Sequence, residues 1–269
     1  MKKGAMIGKG MSAEVYEWGD HQVLKLYYDQ YQPDWIRSEA EIGMALKEAG
    51  VPAPSVFEIV EEGGRKGLIY ERVPGVSMLT MMQTSPSSSL KQAREMARLH
   101  FSIHRCSTTK LPRQKDMLEQ AIHEAKEILG EKTELICEYL RKLPEGNWIC
   151  HGDFHPDNIL VTNNKSIAID WTSANIGDPM CDAARTSIIL LSPFKSSGTP
   201  QIMTLPFRLI KRILNRVYLN EYCRLANIRY ESINSWILPV AAARLQEKIP
   251  GEQKWLLNLI DNRLRGASS

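Results

Sequence analysis

One segment constrains the fold more than any other. Residues 151–161 read His151-Gly152-Asp153-Phe154-His155-Pro156-Asp157-Asn158, followed by the apolar Ile159-Leu160-Val161. Four titratable side chains within seven residues, flanked by apolar strands, are costly unless they are paired or put to use. Twelve residues beyond Asn158, the run Ser166-Ile167-Ala168-Ile169 ends in Asp170. A carboxylate at the end of an apolar strand is well placed to hold a cation at a cleft.

Two chemistries compete for this cluster. His151, Asp153, His155 and Asp157 have the donor types of a hydrolytic metal centre, since imidazole and carboxylate suit zinc, iron or manganese. Alternatively, Asp153 with Asn158 five residues later has the spacing of a phosphoryl-transfer loop. There the carboxylate accepts the proton of an attacking hydroxyl, while the amide and a later aspartate hold Mg²⁺ on the phosphates. The first reading leaves the amino-terminal third unexplained. The second predicts what should stand there: a glycine loop between two strands, a strand lysine, and a helix carboxylate to pair with it. Gly8-Lys9-Gly10-Met11-Ser12-Ala13 supplies the loop, with Ala13 in place of a third glycine. Lys25 lies inside Val23-Leu24-Lys25-Leu26, where an ammonium needs an anion, and Glu39 and Glu41 follow on a helical stretch.

The rest of the chain is organised around that pattern. Strands fit residues 5–7, 15–18 and 22–27, with Gly19-Asp20 as a hairpin turn. Pro33-Asp34 opens a helix that Ala49-Gly50 closes, and two more strands fit residues 55–61 and 66–72. Val73-Pro74-Gly75 breaks the pattern, which divides the chain into a β-rich lobe over 1–73 and a mostly helical lobe over 76–269. In the second lobe the run Thr84–Ser89 reads as a linker whose last serine caps a helix over 90–105. A longer helix covers 115–141 with a break near Gly130. Short strands sit near 148–150 and 167–170, and helices punctuated by prolines follow Pro179. The fold class is α+β.

Composition narrows the setting. With 34 basic and 31 acidic residues the net charge is +3, too small to make a nucleic-acid or membrane-surface binder. No apolar run is long enough to span a bilayer, and Gly8, Lys9, Gly10 and Glu14 interrupt any leader behind the basic start. Five cysteines without a C-x-x-C pair read as buried thiols in a reducing compartment. The expectation is a cytoplasmic protein with no obligatory protein partner.

The loop from His151 to Asn158, Ile169-Asp170-Trp171, Gly177-Asp178-Pro179 and Asp182 together resemble the aminoglycoside phosphotransferase and choline kinase superfamily. The resemblance runs from about Gly8 to the helix over 236–247. It implies a bilobal protein-kinase-like fold and transfer of the γ-phosphoryl group of ATP or GTP, with Mg²⁺, to a small-molecule hydroxyl. By the same resemblance Asp153 is the catalytic base and His151 orders its loop. Asn158 and Asp170 hold the magnesium. Lys25 meets the nucleotide phosphates and pairs with Glu39, chosen over Glu41 by its distance from Pro52. Gly8, Gly10 and Ser12 cover the phosphates, and the backbone of Glu71 and Val73 bonds the base behind Tyr70. Asp182 braces the magnesium loop, and His155 and Asp157 orient the loop or face substrate.

Other tempting residues receive plainer readings. His100 and His104 are one turn apart among apolar neighbours and read as packing and surface residues. Met78, Met81 and Met82 read as core or cleft-lid residues, Trp236 and Trp255 as packing, and Arg208, Lys211, Arg212 and Arg216 as a solvated face. From Arg185 onward the chain carries thirteen basic residues against five acidic ones, Glu221, Glu231, Glu247, Glu252 and Asp261. That balance argues against a polycationic substrate, although Glu134, Glu138, Asp157 and Asp178 could supply an acidic pocket from outside the tail, and a neutral or anionic hydroxylated metabolite fits it at least as well. A nucleotide-binding regulator without catalysis is the remaining alternative.

Overall fold

In the computed structural model, which describes residues 3–10, 12–163, 165–193 and 204–267, the amino-terminal elements form one antiparallel sheet with a helix on one face. Its strands are β1 (Lys3–Lys9), β2 (Ala13–Trp18), β3 (Gln22–Tyr27), β4 (Val56–Glu62) and β5 (Arg65–Glu71), in the order β1-β2-β3-β5-β4. Lys25 stands opposite Val15 on one neighbour and Leu68 on the other, so it projects from the middle of the sheet. Successive side chains alternate between faces. Leu24 and Leu26 therefore pack with Trp18 and Ile69 on one side, while Tyr27 packs with Ala13, Ile36, Ala40 and Leu68 on the other. Ala13, where a third glycine would stand, opens β2 and is buried in that second cluster, so its methyl group serves the core.

The helix on the Tyr27 face is α1 (Pro33–Glu48). Pro33 in its first turn has no N–H to leave unsatisfied. Its end is a Schellman cap: Gly50 (φ +70°) donates to Lys47 O and Val51 to Leu46 O, which satisfies carbonyls the helix leaves open. Its buried stripe is Ile36, Glu39, Ala40, Ile42, Ala45 and Leu46, so a carboxylate is set among apolar side chains facing the sheet.

Beyond Glu71 the chain enters a second, three-stranded sheet through β6 (Val76–Ser77), which pairs with β8 (Ile159–Val161), itself paired with β9 (Ser166–Ala168). A two-stranded ribbon joins β7 (Trp148–Cys150) to β10 (Asn175–Gly177). Helices α2 (Met78–Thr84), α3 (Ser89–Ile103), α4 (Gln114–Glu124), α5 (Lys126–Leu129), α6 (Lys132–Lys142), α7 (Pro179–Leu191), α8 (Thr204–Ala226), α9 (Tyr230–Asn234), α10 (Ile237–Arg244) and α11 (Gln253–Ala267) complete the chain. They share one large core that includes Ile103, Ile122, Ile136, Phe154, Tyr218 and Trp236. Pro206 and Pro239 fall in the first turns of α8 and α10, where a missing amide hydrogen costs nothing.

The local expectations need four corrections. Thr84, read as the first residue of a linker, instead ends α2, a helix capped by Ser77, whose hydroxyl accepts from the Thr80 amide. Ser89 caps nothing, because a 3₁₀ turn over Pro86–Ser88 leads straight into α3. The stretch 115–141 is three helices, turned at Gly130 (φ +60°). All five cysteines are free thiols, but only Cys137, Cys150 and Cys181 are buried, while Cys106 and Cys223 are half-buried. No helix among the described residues is long and apolar enough to cross a membrane.

Candidate active site

The two sheets meet at Lys25. Its ammonium donates to Glu39 Oε1 at 2.7 Å and to Asp170 Oδ1 at 3.2 Å, joining residues 145 apart in the chain. Burial works against the charged ammonium, but Glu39 and Asp170 outweigh it and raise the lysine pKa above its ordinary value. Of the two candidate glutamates, Glu39 is the buried partner and Glu41 is exposed. Tyr70, which the sequence places behind the base, donates its hydroxyl to the same Glu39 oxygen at 2.6 Å. Burial and that carboxylate push the phenol well above its usual pKa, so it stays a donor. Asp170 adopts a left-handed conformation (φ +61°), uncommon outside glycine, and directly follows the last residue of an apolar run.

Facing this triad is the segment 151–158. His151 is fully buried, with its ring against Trp171 and Phe154. Its Nδ1 accepts from the Asp153 amide at 3.2 Å, and its Nε2 is 3.0 Å from Ile169 O, which fixes the hydrogen on Nε2. Burial holds its pKa below the ordinary value despite the nearby carboxylates of Asp182 and Asp153. Both nitrogens are thus occupied, and His151 cannot ligate an ion; the hydrolytic metal-centre reading of the cluster fails on this point. Gly152 sits at φ +78°, where an added Cβ would lie 2.2 Å from Ser173 O, so only glycine fits.

Asp153 is held from several sides. Asn158 Nδ2 donates to its carbonyl at 3.0 Å and to Oδ2 at 3.2 Å, His155 Nε2 lies 3.4 Å from Oδ2, and Arg185 Nη2 lies 3.7 Å from Oδ1. Burial alone would raise the carboxyl pKa. The His155 hydrogen bond and the Arg185 charge overcome it and hold Asp153 well below the usual carboxylate range. Because Asn158 spends its amide nitrogen on Asp153, its carbonyl oxygen is the group available to a cation. His155 Nδ1 accepts from the Asp157 amide, while the Asp157 side chain is exposed.

Asp182 braces the start of the loop that carries Asp153 and Asn158. Its Oδ2 accepts from the His151 amide at 2.6 Å and its Oδ1 from the Gly152 amide at 3.0 Å, so it braces the turn before Asp153. It reaches the Asp170 segment only through the His151 ring. The same carboxylate receives His100 Nε2 (3.0 Å) and His104 Nε2 (3.2 Å), whose other nitrogens meet the hydroxyls of Tyr218 and Tyr222. His100 and His104 are therefore neither surface residues nor plain packing: both are buried partners of Asp182. Burial, then the neighbouring His104, bring the His100 pKa down to about 3.

A chain of alternating charge, missed in the sequence, runs on from Asp153. Arg185 Nε donates to Gly152 O and its Nη1 meets Glu247 Oε1 at 2.7 Å. Glu247 Oε2 meets Arg244 at 2.9 Å, and Arg244 makes a two-pronged contact with Glu252 at 2.7 and 3.0 Å. The signal available was Arg185 one helical turn after Asp182, which puts both on one face of α7.

The loop after β1 is compact. The Gly10 amide donates to Ala13 O at 2.8 Å, and Ser12 O accepts from the Tyr28 amide at 3.0 Å. Gly8 is the penultimate residue of β1, opposite Val15. At the end of β5 the Glu71 amide donates to Ser55 O, so its carbonyl is the group that could meet a base; Val73 follows in the extended link to β6.

The family model described as the phosphotransferase enzyme family matches residues 4–199. An aminoglycoside phosphotransferase, solved as a thermostable mutant with ADP and hygromycin B, superposes with a TM-score of 0.67 over 98% of this chain and 94% of that one, at 15% identity. An aminoglycoside-3'-phosphotransferase of type VIII gives 0.61 over 90% and 93%, at 20% identity. A choline kinase from Cryptosporidium parvum Iowa II gives 0.55 over 99% and 89%, at 14% identity. At these identities the likeness is one of fold. In sequence, the mouse (Mus musculus) acyl-CoA dehydrogenase family member 10 is 25% identical over 181 residues, 59% of this chain; the match spans only 17% of that protein's length.

Proposed function

The chain belongs to the phosphotransferase enzyme family, and we propose that it is a kinase moving the γ-phosphoryl group of ATP or GTP onto the hydroxyl of a neutral or anionic metabolite. The observation that carries this reading is the convergence of Lys25 on a strand, Glu39 on α1 and Asp170 after β9, with His151 joining the Asp170 segment to an Asp153 held as a carboxylate. A lysine held by one carboxylate, with a second carboxylate at the same junction, suits a polyphosphate that meets the ammonium and carries a magnesium ion.

The chemistry divides among these residues. Asp153 receives and aligns the acceptor hydroxyl. As its oxygen bonds to the γ-phosphorus, the bond to the β-phosphate oxygen breaks, the nucleoside diphosphate leaves, and Asp153 takes the proton. Its strong acidity suits an aspartate that orients a nucleophile through a loose transition state and takes its proton late. Lys25, fixed by Glu39, meets the α- and β-phosphates, and the amides of the Gly8–Ser12 loop cover them. The carbonyl of Glu71 and the amide of Val73 bond the base. The donor set fits magnesium: Asn158 Oδ1 and the Asp170 carboxylate are hard oxygens, and Asn158 is turned the right way by its bonds to Asp153. Bound there, the ion supplies charge neutralisation on the phosphates.

Charge supports this acceptor class. Of the five acidic residues after Arg185, four are already in ion pairs: Glu221 with Arg98 and Arg224, Glu247 with Arg185 and Arg244, Glu252 with Arg244, and Asp261 with Lys132. A substrate with several ammonium groups would find few carboxylates uncommitted.

The test is transfer of labelled phosphate from ATP and GTP, with Mg²⁺, to sugars, hydroxy-amino acids, amino alcohols and aminoglycosides. Transfer to a neutral or anionic class is the expected result. Acceptance of aminoglycosides alone would overturn the charge argument. Tight Mg-nucleotide binding with no acceptor in the panel would favour a regulator, and failure to bind nucleotide would remove the kinase reading.

A further inference from the structure

Away from this site, α4 and α6 lie side by side and bring four residues together: Glu119 and His123, one turn apart on α4, and Glu134 and Cys137, one turn apart on α6. His123 Nε2 lies 3.9 Å from Cys137 Sγ, and His123 Nδ1 lies 3.9 Å from Glu134 Oε1. A carboxylate oxygen of Glu119, a ring nitrogen of His123 and Cys137 Sγ all lie within 4.8 Å of one another. A weak thiol–imidazole hydrogen bond accounts for one of these contacts. Glu119 is drawn there by its ion pair with Arg141, and its carboxylate also converges on this pair.

We propose that Glu119, His123 and Cys137 form a binding site for one zinc-class divalent ion, with Glu134 orienting His123 from behind. The bond lengths of tetrahedral zinc, ~2.3 Å to sulfur and ~2.0 Å to nitrogen, set a sulfur–nitrogen separation of about 3.5 Å, a few tenths of an ångström closer than the 3.9 Å found. The donor set of thiolate, imidazole and carboxylate selects zinc over magnesium or calcium. Glu134 lies 3.9 Å from the other ring nitrogen, beyond hydrogen-bond distance but near enough to close on it and complete a carboxylate–histidine–zinc arrangement when the ion binds. The charges close as well. Glu119, Glu134 and a Cys137 thiolate against Arg141, which pairs with Glu119, leave two negative charges for a dication. Arg141 holds one Glu119 oxygen and leaves the other for the ion. Burial and the two carboxylates keep the Cys137 thiol above its ordinary pKa, so binding must release its proton. Entry is from the His123 side, which is exposed, while Cys137 forms the buried floor. The ion would tie α4 to α6 and leave a fourth position open to water.

Cobalt(II) titration of the reduced, metal-free chain without nucleotide tests this. The expected result is one equivalent of cobalt with a near-ultraviolet thiolate charge-transfer band, displaced by one equivalent of zinc. Asn158 and Asp170 carry no sulfur and cannot produce that band. His123→Gln, an exposed change that the fold tolerates, and Cys137→Ser should each abolish it, and Glu134→Gln should weaken zinc by about tenfold to a hundredfold. No band in the native chain, or an undiminished band in His123→Gln, would overturn the site; unaltered zinc affinity in Glu134→Gln would overturn the role of Glu134.

Discussion

Asp153 is ionised because of its neighbours, and Arg185 is the neighbour with a permanent charge. Replacing it by Gln keeps a donor near Gly152 O but removes the cation, so the Asp153 pKa rises toward the ordinary value of about 3.9. A carboxylate works only when deprotonated, so activity is lost as pH falls through that raised value. The pH–rate profile of Arg185→Gln should show an acid limb displaced upward, with the rate at neutral pH, well above that limb, left unchanged by the shift. An acid limb unmoved from the native one would mean Arg185 does not set the charge of Asp153. At this scale the sequence was most legible where residues sit near one another in the chain, as Asp153, Asn158 and Asp170 do. Arg185 went unread because its three contacts, Gly152, Asp153 and Glu247, lie about 30 to 60 residues away on either side.

The elements under the loop form a buried polar girder: α7 gives Asp182, α3 gives His100 and His104, and α8 gives Tyr218 and Tyr222. The i, i+4 spacing of the histidines is visible in the sequence, but two histidines on an apolar face also describe packing. Only the pairing of α3 with α7 and α8 supplies the carboxylate and hydroxyls that give them a purpose. The arrangement has a consequence for stability. In the unfolded chain His100 takes a proton near pH 6.5, whereas in the fold it resists protonation down to about 3. Between those values the unfolded state binds more protons, so stability is full above about pH 6.5 and declines as the pH falls, by about 1.4 kcal/mol per unit for each such histidine. Urea unfolding from neutral pH down to about 5 should show this decline, and His100→Gln should flatten it. A native stability constant across that range would contradict the buried neutral state. Helix boundaries were legible where a cap has a local signature, as at Gly50; α2 and the 3₁₀ lead-in to α3 were not, because a serine-rich run offers several caps and tertiary packing chooses among them.

At the scale of the molecule, the first sheet and its helix α1 bring Lys25 and Glu39, the loops flanking β7, β8 and β9 bring Asp153, Asn158 and Asp170, and the proposed reaction needs both. The order of these residues along the chain was readable from the sequence. The ion pairing that commits most carboxylates of the last third was not, since composition counts charges without saying which are neutralised. The central claim is that nucleotide binding and phosphoryl transfer rest on different residues of one site. The most direct measurement is Mg-nucleotide affinity by calorimetry alongside phosphoryl transfer to the acceptor found, for the native chain, Asp153→Asn and Asp170→Asn. The account predicts that Asp153→Asn binds Mg-nucleotide within about threefold of the native chain yet transfers at least about a hundredfold more slowly. Asp170→Asn should lose the magnesium dependence of binding. Near-native transfer by Asp153→Asn, or unchanged magnesium dependence in Asp170→Asn, would contradict it.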